Sequence, residues 1–182
     1  MAQRWQTGEG GFGLIYGALT VSFQRFAAPA NGIVEGVPRS LGQLPLARDG
    51  ANCFVVPIGE SEAVWIGLSV PATLSRRVTV VAQLSNGLTR QVCGPEAEVA
   101  PVRHLAGIPD GEGRYMALGR CDCGGARAIE SLTVATPSDK GGAEGDPATV
   151  RLVSLIEARR LAPQLRIPPF DPNAGYQGVR LP

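Results

Sequence analysis

Lysine and histidine are nearly missing from this 182-residue sequence: Lys140 and His104 stand alone of their kind, against sixteen arginines. Schiff-base chemistry therefore has one candidate amine, and a zinc site built on two histidines is excluded. Any Ser-His-Asp or Cys-His mechanism has to run through His104, and no Gly-x-Ser-x-Gly elbow presents a partner serine. Aromatic residues make up only 5% of the chain, which argues against a dedicated sugar-binding or base-stacking surface. Charge of one sign is lacking too, with 17 basic and 16 acidic residues. Without a net field, nucleic acid and anionic membrane are not expected partners. Long apolar runs are missing as well. The longest, residues 14–23, is interrupted by Gly17, Thr20 and Ser22 and is about half of what spans a bilayer. The first ten residues lack the basic-then-apolar order of a secretory signal, so the cytoplasm is the expected address.

Turn chemistry and strand patterning are what the sequence has. It carries 24 glycines and 15 prolines, and three segments alternate apolar and polar residues with the two-residue period of half-buried strands. In the first, Ile15, Leu19, Val21 and Phe23 share a face opposite Tyr16, Thr20 and Ser22. In the second, Val64, Ile66, Leu68 and Val70 oppose Trp65, Gly67 and Ser69. The third, Val78, Val80, Ala82 and Leu84, runs into Asn86-Gly87, which predicts a hairpin with a type I′ turn and a return through Thr89, Gln91 and Cys93. Further strands are expected at 53–56, 99–105, 115–118 and 129–135, while 24–52 reads as a long loop bearing a short strand. Asp146-Pro147 resembles a helix start, with Val150, Val153, Ile156 and Leu161 as the apolar stripe and Pro163 as the stop.

The expected fold is mainly β: an antiparallel β-sandwich, jelly-roll or barrel with one C-terminal α-helix and an extended C-terminal arm. It reads as a single domain over 1–182, with a β-rich core at 1–136, the helix at 146–162 and a proline-rich arm at 163–182.

Three groups of residues invite chemistry. Thr7-Gly8-Glu9-Gly10-Gly11-Phe12-Gly13 resembles the glycine-rich nucleotide loop of protein kinases. That resemblance implies a strand lysine, a His-Arg-Asp base and an Asp-Phe-Gly metal site, none of which the sequence supplies. The loop therefore reads as a flexible lead-in to the first strand. Cys53, Cys93, Cys121 and Cys123 lack the paired spacing of a zinc site and read as buried reduced thiols, so no metal and no cofactor is expected. The acidic pairs Glu60/Glu62, Glu96/Glu98 and Asp110/Glu112 lie in turn-like sequence and read as solvated, and no catalytic residue is assigned.

Tyr16 and Trp65 fall on the face opposite the aliphatic set of their strands. They are the candidate binding residues, as surface contacts or as part of a second core layer. The expected function is a non-catalytic module that works through protein–protein contacts, as a homo-oligomer or an accessory subunit. The alternative is a small-molecule-binding or hydrolytic enzyme with a site in a barrel mouth.

Overall fold

The computed structural model describes residues 4–122, 124, 126–137 and 145–171. In chain order its strands are β1 (Gln6–Thr7), β2 (Leu14–Tyr16), β3 (Leu19–Ala27), β4 (Ile33–Val34), β5 (Ala47–Arg48) and β6 (Cys53–Pro57). Next come β7 (Glu62–Ser69), β8 (Arg76–Arg77), β9 (Thr79–Leu84), β10 (Thr89–Cys93), β11 (Glu98–Val99) and β12 (Val102–Leu105). The last are β13 (Ile108–Pro109), β14 (Tyr115–Met116), β15 (Leu118–Gly119), β16 (Ile129–Ala135) and β17 (Ala148–Val153), followed by the helix α1 (Leu155–Leu161).

Two six-stranded sheets dominate. The first is ordered β1-β2-β3-β7-β12, with β15 also pairing β7; the second is ordered β10-β9-β16-β17-β6-β5. Every pair is antiparallel except β17 with β6. Smaller sheets are formed by β11-β8 and by β13-β14-β4. Each large sheet ends on two different strands, so neither closes, and the barrel expectation is overturned.

Alternation explains which residues meet. Val64, Ile66 and Leu68 of β7 and Val21 and Phe23 of β3 are all fully buried, while Trp65 and Ser69 are only partly so. The second sheet contributes Val80, Leu132, Val150 and Phe54 to the same hydrophobic cluster. Each fully buried aliphatic or aromatic side chain in it contributes on the order of 1.5–3 kcal/mol of transfer free energy.

Several expectations need correction. The helix does not begin at Asp146-Pro147. Ala148, Val150 and Leu152 alternate as the buried face of β17, and the helix starts only at Leu155, capped by the Ser154 hydroxyl, which accepts the Glu157 amide at 3.1 Å. Val150 and Val153 fit helical and extended spacing alike, and the paired strands on both sides decide in favour of β. Ile156 and Leu161, assigned to the apolar stripe, are 74% and 44% exposed, and Ala158 is the buried residue of the helix.

The Asn86-Gly87 hairpin forms but not with a type I′ turn. Only Gly87 has positive φ (78°), and the amide of Gly87 donates to the Leu84 carbonyl while the amide of Leu84 donates to the Leu88 carbonyl. This is a three-residue loop with its left-handed residue last, and Asn86 instead accepts the Leu88 amide through its side chain.

The glycine run is not a loose lead-in. It is the connection of a β1–β2 hairpin, closed by the Gly8 amide on the Gly13 carbonyl at 2.9 Å and tied to the segment leading into β5 by the Leu46 amide on the Gly11 carbonyl at 2.7 Å. Residues 24–52 hold more structure than a loop, since β3 runs on to Ala27 and Leu44 and Leu46 enter the core. Of the arm, residues 163–164 form a turn closed by the Leu165 amide on the Ala162 carbonyl at 2.9 Å, and Leu165 and Ile167 then pack on the cluster of Ala47, Val55, Val153, Ala158 and Ala162. Residues 172–182 lie outside the described residues. Among the described residues, no helix is long and apolar enough to cross a membrane.

Candidate functional site

β7 offers one edge to two strands in turn: β12 pairs its Ile66–Ser69 half, and β15 pairs Ala63 and Val64. Between them the chain leaves the sheet as the β13–β14 hairpin, which adds β4 as a third strand. This excursion, β12 and the end of β10 enclose a cleft of about 430 Å³, lined among others by Glu35, Val37, Cys93, Arg103, His104 and Tyr115. The hairpin tip is fixed by Asp110, which accepts the amides of Glu112 and Arg114 and pairs with the Arg114 guanidinium at 2.8 Å. The Glu112 amide, foremost, and then Arg114 hold the Asp110 carboxyl below its ordinary range. The expected solvated acidic pair is thus a turn clamp at Asp110.

Trp65 stands beside the cleft. Its ring meets His104 edge-on, with centroids 5.0 Å apart, and it packs against a small cluster of Phe26, Ala63 and Ala117, on which Val34 of β4 also packs. Gly67 sits opposite both Ser22 and His104. A Cβ there would come within 2.5 Å of the Ser22 hydroxyl and 3.3 Å of the indole ring, so the missing side chain lets the ring lie close over the strand. The indole Nε1 is buried without a hydrogen-bond acceptor, a group that ordinarily finds one. Trp65 is therefore half-buried, part of a second apolar layer and part of the cleft's surroundings.

Tyr16 belongs elsewhere. It is 2% exposed and packs its ring against Trp5, with centroids 4.8 Å apart. Read as one strand, residues 14–23 place it on the outer face. In the structure Gly17 and Ala18 form a two-residue turn that pairs Tyr16 with Leu19, so β2 and β3 alternate out of phase and Tyr16 shares the inward face with Leu14. Gly17, with φ of 58° at the first turn position and no positive φ at Ala18, has the pattern of a type II′ turn. Tyr16 is a core residue and not a surface contact.

Of the other candidates, Cys93 and His104 line the cleft, whereas Cys53, Glu60, Glu62, Cys121 and Asp122 do not. Burial pushes the Cys93 thiol above its usual range, which outweighs the Val80 amide and Arg103, and its Sγ lies 3.4 Å from the Val78 carbonyl. A thiol kept protonated is a poor nucleophile. His104 is exposed, and among the described residues no hydrogen bond or ion pair reaches its ring. Comparison with protein-family models, with curated proteins and with solved structures returned no match.

Cys53 is half-buried, Cys93 buried and Cys121 exposed, all as free thiols, so the expectation that they would all be buried fails at Cys121. Cys123 lies outside the described residues. Asp122 accepts the Ala128 amide at 2.8 Å, and Glu60 is exposed. Among the described residues no group of three metal-ligating side chains gathers. Glu62 is the residue whose reading changes most: it is buried beside Arg25, 3.8 Å away, rather than solvated in a turn. Continuing the alternation would have found both, since Arg25 follows Val21 and Phe23 in phase and Glu62 precedes Val64 and Ile66 in phase.

Proposed function

We propose that this chain is a non-catalytic β-sandwich module, of jelly-roll or related build, that works through protein contact and assembles with a second copy of itself along β12. The sandwich reading is supported by the single hydrophobic cluster to which the inward side chains of both large sheets contribute. The observation that carries the contact reading is the edge itself. β12 pairs with β7 along one side and, among the described residues, with no strand along the other. A bare edge is a template for further pairing, and the one charge on it, Arg103, turns its guanidinium to the Glu98 carbonyl at 3.3 Å.

Val102 opens this edge at 53% exposure, and Val37, on the rim of the adjoining cleft, is 44% exposed. Water-facing apolar groups beside unpaired backbone suit a protein partner better than a polar small molecule. A second copy is the natural occupant because an antiparallel pair of identical edges is self-complementary about a two-fold axis.

Val102→Lys puts a charge on the edge at a position already facing water, so the fold is retained while pairing is opposed. Light scattering is expected to give a mass above that of the monomer for the parent chain and at least about tenfold weaker association for the variant. A monomer at every concentration tested, or equal masses for the two chains, overturns the reading.

A further inference from the structure

Arg25 is the one buried arginine among the described residues, at 4% exposure. It lies opposite Val64, and Glu62 lies opposite Ala27, so the two charged residues are diagonal neighbours across β3 and β7. At 3.8 Å the carboxylate balances the guanidinium without a direct hydrogen bond, and its Oε2 instead accepts the Gly59 amide at 3.1 Å. The guanidinium's donors point to the C-terminal segment. Nη1 donates to the Pro168 carbonyl at 2.9 Å, Nη2 donates to the Pro169 carbonyl, and the Phe170 ring centre lies 5.6 Å from the guanidinium carbon. Nε is buried with no acceptor at all. The backbone beneath is fixed, with the Arg25 amide on Gly42 at 3.0 Å and the Leu41 amide on the Arg25 carbonyl at 2.8 Å.

Each part of that arrangement suits an extended proline segment. Proline has no N–H and a preset φ, so a Pro-Pro pair presents carbonyls that no helix or ladder consumes and loses little freedom on docking. A planar guanidinium can serve two such carbonyls at once, and an aromatic ring next in sequence covers its face.

We propose that the Arg25–Glu62 pocket is a receptor for an extended proline-proline-aromatic segment, filled in this molecule by residues 168–170 and open to the same segment of a second copy when these withdraw. The pocket shares no residue with the β12 cleft, so it stands or falls separately from the edge-pairing reading. The resident segment is tethered and competes at an effective concentration in roughly the millimolar range, so the parent chain takes up a free peptide weakly.

The test uses full-length chain and a fluorescent peptide of sequence Arg-Ile-Pro-Pro-Phe-Asp, read by anisotropy. Phe170→Ala loosens the resident segment and is expected to raise peptide affinity at least about fivefold over the parent. Adding Arg25→Lys removes that gain, because an ammonium group cannot span both carbonyls. A peptide with both prolines replaced by alanine binds at least about fivefold more weakly than the proline form. The proposal is overturned by equal peptide affinity in parent and Phe170→Ala, or by a gain that survives Arg25→Lys in a chain whose circular dichroism is unchanged. Should Arg25→Lys fail to fold, equal binding of the proline and alanine peptides to Phe170→Ala overturns it.

Discussion

Phe23→Ala is expected to lower the unfolding free energy by about 4 kcal/mol, the cost of removing a fully enclosed aromatic ring and leaving the space partly unfilled. Phe23 is fully buried on the inward face of β3, opposite Ile66, in the cluster to which the second sheet also contributes. The ring is surrounded by strands paired on both sides, so the cavity has little means to collapse. Urea unfolding should show the midpoint falling with the slope unchanged. A loss below about 1 kcal/mol would mean that the two sheets do not enclose this position in solution.

Glu62→Gln is expected to cost about 3 kcal/mol by the same measurement. The substitution keeps shape and an oxygen for the Gly59 amide, but it leaves the Arg25 guanidinium buried beside a neutral group. The cost of stranding a charge exceeds that of losing one hydrogen bond. Replacing both residues by apolar side chains of similar volume should destabilise by less than the sum of the single changes, because the stranded charge goes with the second substitution. A Glu62→Gln chain as stable as the parent would show that water reaches the pair.

The alternating segments were legible because sheet burial on one side writes itself directly into a period of two. Residues 64–70 and 78–84 lie as that pattern required, with Val64, Ile66, Leu68, Val80 and Ala82 fully buried. The errors have specific physical origins. A two-residue turn at Gly17-Ala18 shifts the phase between β2 and β3, and a reader who runs through it assigns Tyr16 to the wrong face. Residues 148–153 satisfy two periods at once, and a proline beside an aspartate suggested a helix, whereas pairing with β16 and β6 decides the matter through contacts distant in sequence.

The site was less legible than the fold. The face on which Trp65 lies is legible because its neighbours alternate cleanly, but its contact with His104 depends on the register of β7 against β12, which local pattern does not encode. Glu62 escapes the pattern because charge in turn-like sequence reads as solvated, and Arg25 because 24–52 reads as a loop, although both lie in phase with buried aliphatic residues. A charged residue on the inward face of a strand is a partner search waiting to be made. Here the second partner is a proline-rich segment about 143 residues away.

Amide hydrogen exchange along β12, followed as a function of protein concentration, tests the proposed contact most directly. Exchange at residues 102–105 is expected to slow as concentration rises, while that of β16, flanked by β9 and β17, stays constant. Exchange at β12 that is independent of concentration would contradict assembly through this edge.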